Sequence, residues 1–192
     1  MNKLINVAFI FIVSTFAAFG AQGENRIIID PALKNYDSFP EIKTINKFFV
    51  DSVRDTMHSR TDSGVVGYTH TRSKHPTAII CRPLPTEVVR SSLENLFVKV
   101  GIAATDRGAA TYLVRVVIVG FDLKERPHFL YQTMDATIRL RITLINPQTS
   151  HGFTIDSERS RTTFNANHKS EEILRSALRD ALVEVFQTLK GI

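Results

Sequence analysis

The chain has 192 residues, 43% of them hydrophobic and 22% charged, which is the balance of one ordinary globular domain and excludes a disordered chain. Its formal net charge is +5, and a leader holding one of the 24 Lys and Arg and none of the 19 Asp and Glu would leave +4. That is too weak to argue for nucleic acid, and no zinc-type Cys/His spacing or RNA-binding aromatic pattern accompanies it.

The first segment has the form of an export signal. Lys3 supplies a short positive region, Leu4 to Phe19 is nearly unbroken apolar sequence, and small residues follow in Ala18-Phe19-Gly20 and Ala21-Gln22-Gly23. Residues 1–23 are therefore expected to be a signal peptide cut after Gly23, with Gly20 the second choice and an uncleaved anchor the alternative. No cysteine stands at the junction to receive lipid. The mature protein is expected in the periplasm, free or peripheral to the outer membrane.

Residues 24–44 mix a short β-like run, Ile27 to Ile29, with Pro31, Pro40 and polar residues, and read as a leading arm outside the core. Residues 45–192 then form a single domain. Strand composition recurs around Phe48 to Val53, in "VVGYT" and in "TAIICRPL", where Pro83 and Pro85 halt the run. Val89, Leu93, Leu96, Phe97 and Val100 make one helical stripe, with Pro85 and Thr86 suited to the first turn and Gly101 placed to end it.

Three long strands follow, "TYLVRVVIVGFDLKE", "LYQTMDATIRLRITLIN" and "FTIDSERSRTTF", separated by the turn-rich "RPHF" and "PQTSHG". A final helix from about Glu171 to Leu189 lines Leu174, Ala177, Leu178, Ala181, Leu182, Val185 and Leu189 on one face. The order β-β-β, α, β-β-β, α predicts an α+β two-layer sandwich, a mostly antiparallel sheet with two amphipathic helices on one face.

Alternation then says which sheet face is left over. Ile138, Leu140, Ile142 and Leu144 share one parity, while Thr137, Arg139, Arg141 and Thr143 share the other. Arg159 and Arg161 repeat the habit on the last strand, and Arg115 shares parity with Leu113, Val117 and Val119. If the parities agree, Arg115, Arg139, Arg141, Arg159 and Arg161 lie on an uncovered face beside apolar surface. Guanidinium groups in that setting suit an acidic protein surface or anionic lipid headgroups.

Catalytic signatures are absent from the sequence. It contains no G-x-S-x-G elbow, phosphate-binding glycine loop or H-E-x-x-H pair, and the lone Cys81 sits in an apolar run as a buried small hydrophobe would. His70 and His75 stand five apart in a basic loop without acidic or thiol co-ligands, so no metal and no cofactor is expected. A hydrolase would need a pocket grouping His128 or His151 with an acid such as Asp135.

"VVRSSLENLFVKVGI" followed by "ATYLVRVVIVGFDLK", then "ATIRLRITLIN" and "EEILRSALRDALVEVFQTL", resembles the YajG-type small envelope lipoproteins. "FFVDSVRD" and "GVVG" resemble that group's leading strand and loop, and the likeness extends more distantly to the auxiliary lipoproteins of ABC-type envelope transport systems. The resemblance covers about Ile45 to Leu189. It implies a periplasm-facing α+β domain with an accessory role in envelope assembly or lipid transport, without enzyme activity. The departure is the missing lipidation cysteine. The expected function is thus a non-enzymatic exported protein that binds an envelope protein or anionic lipid surface, with a carrier of lipid or another amphiphile as the alternative. In the carrier, "LVRVVIVGF" would line a groove.

Overall fold

A computed structural model describes residues 26–57, 64–69, 76–127, 131–163 and 169–192. The leader therefore lies outside the described residues, as do His70, His75 and His128. The described residues form seven strands and two helices in the order β1 (Arg26–Ile29), β2 (Phe48–Asp55), β3 (Val65–Thr69), β4 (Thr77–Cys81), α1 (Pro85–Lys99), β5 (Tyr112–Pro127), β6 (Gln132–Ile145), β7 (Ser150–Thr163) and α2 (Ser170–Lys190).

The helices form where the stripes and end signals place them. Pro85 opens α1, the Leu84 N–H donates to Glu87 Oε2 at 2.9 Å, and Gly101 leaves the helix with φ +79°. Glu171 and Glu172 occupy the first turn of α2 and Lys190 its last, signs that complement the helix dipole. Val89, Leu93, Leu96 and Phe97 of α1 and Leu174, Ala177, Leu178, Ala181, Leu182 and Val185 of α2 are all buried.

The sheet runs β1-β4-β3-β5-β6-β7, with β2 also paired to β5. It is mixed, which corrects the expected antiparallel sandwich: β1 runs parallel to β4, and both β2 and β3 run parallel to β5. Only β3–β4, β5–β6 and β6–β7 are antiparallel. The physical reason is connection length. Tight turns force sequential strands to pair antiparallel, whereas the long segments before β2 and β3 and the crossing of α1 let strands enter the sheet in either sense.

β5 organises this sheet. One of its edges is covered along its length by β6. The other is divided, with β2 on Tyr112 to Ile118 and β3 on Leu123 and Lys124. The β5–β6 register shifts between Ile118 and Gly120, so Val114, Val116 and Ile118 before the bulge and Phe121 and Leu123 after it all turn into the core. Opposite them stand Leu144, Ile142, Leu140, Ile138 and Ala136 of β6, also buried.

Residues 26–44 do more than lead into the domain. Arg26–Ile29 adds a strand to the sheet, and Ile29 and Phe39 are core residues. Beyond β1 the chain follows α2 from its first turn to its last. Arg175 Nη2 donates to the Asp30 carbonyl at 2.8 Å, Phe39 meets Phe186 edge-on with ring centroids 5.8 Å apart, and Asn46 Nδ2 donates to the Ile192 carbonyl. Ile42 N–H donates to the Val100 carbonyl at the end of α1, so the segment ties the two helices together. Its prolines and polar residues hid this role, because the burial comes from isolated apolar residues at no fixed period.

The divided edge of β5 sets a close approach. A Cβ on Gly67 would stand 2.2 Å from the Leu123 carbonyl oxygen, a backbone atom that cannot step aside. Gly67→Ala should therefore cost about 2–3 kcal/mol through separation of β3 from β5. Gly120→Ala meets only ordinary contact, 3.5 Å from Arg139 Cβ, and should change stability by less than about 0.5 kcal/mol. Urea midpoints of the two variants check this contrast.

Candidate binding face

Both helices cover one side of the sheet, and the other side carries the alternate residues. β5 presents Leu113, Arg115 and Val117 there, β6 presents Thr137, Arg139, Arg141 and Thr143, and β7 presents Thr154, Asp156 and Glu158. Cross-strand register sets Arg115 opposite Thr143, Val117 opposite Arg141, and Arg139 opposite Asp156. Three of the five predicted arginines, Arg115, Arg139 and Arg141, thus share one exposed face.

Arg159 and Arg161 do not join them. They stand opposite Ala136 and Met134, whose side chains are buried under α2, so their parity is that of the helix side. At the sheet margin they reach α2 itself: both Arg159 Nε and Nη2 donate to Asp180, and Arg161 Nη1 donates to Glu172 at 2.5 Å. The Asp180 carboxylate holds the Arg159 guanidinium above its ordinary pKa. With the buried Ser157 hydroxyl donating to the Ala177 carbonyl at 3.0 Å, these pairs fasten the last strand to the last helix. A cleft of about 410 Å³ lies there, lined by Arg159, Arg161, Ile173, Arg179 and Asp180.

The uncovered face is a ladder of charge pairs. Asp51, at the β2 bulge, takes Arg115 Nε at 2.9 Å and Arg107 Nη2 at 3.4 Å, and is only 13% exposed. Arg139 Nε donates to Asp156 at 2.7 Å. Arg126 Nε reaches Asp135 at 2.6 Å, and that hydrogen bond is the main cause holding the Asp135 carboxyl below the usual carboxylate range. Among the described residues Arg141 makes no ion pair, and it stands at the middle of the face beside the half-exposed Val117 and Thr143. The sequence reading missed Asp51, since the bulge that turns it toward Arg115 leaves no mark in the alternation.

Of the two histidines named for a hydrolase site, only His151 lies among the described residues. His151 is exposed opposite Leu144, nine positions along β6 from Asp135 and on the other side of the sheet, about 30 Å away at strand spacing. No group of three His, Cys, Asp or Glu among the described residues could hold a metal. Val114, Val116 and Ile118, the residues a groove would need, are buried in the core. No described helix is long and apolar enough to cross a membrane.

Three comparisons set this architecture among known proteins. No family model matches the chain, and no curated protein matches it. Among solved structures it is similar to protein XCC0632 from Xanthomonas campestris, of the family DUF330, at 16% identity and TM-score 0.53 over 85% of this chain and 92% of that one. It is also similar to an uncharacterized protein at 11% identity and TM-score 0.55, over 86% of this chain and 99% of the other. Lipoprotein GNA1162 from Neisseria meningitidis, at 11% identity and TM-score 0.24 over 83% and 99% of the chains, is too loose a match to argue from. At these identities the first two show a shared fold. None of the three is described as YajG-type.

Cys81 is the buried hydrophobe its context predicts. It is fully buried, desolvation pushes its thiol up to about 12, and Sγ donates to the Pro83 carbonyl at 3.1 Å. At pH 8 roughly one molecule in ten thousand then carries a thiolate. Iodoacetamide should alkylate Cys81 at least about a hundredfold more slowly in the native protein than in urea, as followed by mass spectrometry.

Proposed function

We propose that this protein is a non-enzymatic envelope protein, exported by its leader, that engages another envelope protein through the uncovered sheet face around Arg141. One observation carries the reading: a broad sheet face left bare by both helices, whose central arginine has no ion pair among the described residues while its neighbours Arg115 and Arg139 are matched internally. Matched pairs on a surface contribute little to binding, because a partner must first displace a carboxylate already in place. An unmatched guanidinium flanked by half-buried valine and threonine offers a bidentate donor for a partner carboxylate on a partly apolar ground.

The fold is shared with protein XCC0632 of the family DUF330, and no group of three His, Cys, Asp or Glu among the described residues could hold a metal. Fold alone names no partner. A photo-crosslinking residue at Thr154, which lies opposite Arg141, should yield a discrete protein adduct in the native host, and one at Ser176 on α2 should not. Arg141→Glu should reduce the Thr154 adduct by about fivefold or more. Equal adducts from both positions, or a Thr154 adduct indifferent to Arg141→Glu, would remove the sheet face from consideration.

A further inference from the structure

The uncovered face carries a second guanidinium without an ion pair among the described residues. Beyond its bulge, β2 pairs with β5 so that Ser52 stands level with Arg115 and Arg54 level with Val117. Val53, between them, packs against the core, so Ser52 and Arg54 turn to the bare side. Arg54 is exposed. The carboxylates of its own strand are engaged elsewhere: Asp51 takes Arg115 and Arg107, and Asp55 accepts the Met57 N–H at 2.8 Å.

Register puts Arg54 in one row with Arg141. Arg54 of β2, Val117 of β5, Arg141 of β6 and Thr154 of β7 lie level across four strands. Two strand spacings separate the arginines, about 9–10 Å between Cα atoms. The row thus sets two unmatched cations on either side of a half-buried valine. The surface around it is graded. In one direction Arg115 is matched by Asp51, and beyond it Phe49, Leu113 and Ile145 form a row of half-buried apolar side chains. In the other, Arg139 is matched by Asp156, and beyond it the exposed Glu158 stands opposite Thr137. Such a face takes negative charge at its middle and apolar groups at one end, and repels carboxylates at the other.

Granted that this face engages an envelope protein, we infer that the partner lays an acidic helix along the row, one carboxylate on Arg54 and another on Arg141. Each guanidinium offers a planar, bidentate donor to one carboxylate. Two turns of α-helix rise about 10.8 Å, so residues i and i+7 reach both arginines from one side of the helix. The residue at i+3 or i+4 then falls over Val117 and can be apolar. An extended strand repeats on one face at about 7 and 14 Å, and neither spacing matches the pair. An anionic bilayer lying on this face would also meet Glu158. The row of Phe49, Leu113 and Ile145 is left for apolar surface of the partner beside the helix.

Photo-crosslinking in the native host, with mass spectrometry of the adduct, tests the assignment. With the crosslinker at Thr154, Arg54→Glu should lower the adduct about fivefold or more, as Arg141→Glu does. The cross-linked peptide should belong to a helix with Asp or Glu at i and i+7. Changing one of those two acids to Arg should restore the adduct to the Arg54→Glu protein, a rescue that a misfolded variant could not show. A crosslinker in place of Phe49 should capture the same protein, and one in place of Thr137 should not. Circular dichroism confirms folding of each variant. An adduct lost in Arg141→Glu but unchanged in Arg54→Glu would overturn the paired recognition and leave the binding face standing, whereas indifference to both would remove both. An adduct peptide without two such acids, failure of the rescue, or equal adducts at Phe49 and Thr137 would each overturn the acidic helix. So would binding to phosphatidylglycerol vesicles that both arginine variants lose, in a host that gives no protein adduct at Thr154.

Discussion

The divided edge of β5 is the constraint from which the rest of this structure follows. One 16-residue strand supports β6 along one side and two separate parallel strands along the other. β2 and β3 can share that edge only because β5 is long enough for both and because Gly67 lets the β3 backbone come against Leu123. The bulge after Ile118 then resets the side-chain alternation midway. A single buried stripe therefore continues from Val114 to Leu123 under both helices.

With that stripe facing the helices, the bare side of the sheet is decided residue by residue. Arg115, Arg139 and Arg141 point there since their neighbours in sequence are core residues. Arg115 takes its carboxylate, Asp51, from β2, 64 residues away in the chain, and Arg139 takes Asp156 from the adjacent β7. The result is a surface on which charge is mostly matched internally, with Arg141 left over. At the far margin the same residue type does a different job: Arg159 and Arg161, on the helix side of β7, pair with Asp180 and Glu172 and hold α2 down.

The segment joining β1 to β2 shows how a polar, proline-bearing stretch can still be structural. Its anchors are single residues: Ile29 and Phe39 in the core, Asp30 at the start of α2, Ile42 at the end of α1 and Asn46 beside Ile192. Exposed residues such as Lys34, Asn35, Asp37, Ser38 and Pro40 are interspersed among them. No periodicity marks such a segment, and its contribution exists only once both helices are in place to receive it.

What the sequence determined by itself was everything governed by local period and local chemistry. The 3.6-residue stripes of the two helices, the alternation of Ile138, Leu140, Ile142 and Leu144, the helix end at Gly101 and the burial of Cys81 in its apolar run all depend on near neighbours, and all stand in the structure. Strand direction and partnership were decided only in the tertiary structure. Alternation says which residues of a strand share a face, but not which face of the next strand they meet. A shift of one residue in the β6–β7 register would have put Arg159 and Arg161 beside Arg139, and the observed register puts them beneath α2 instead. That choice rests on long-range packing of Ile155 and Ser157 against α2 and β6, which no stretch of neighbouring residues encodes.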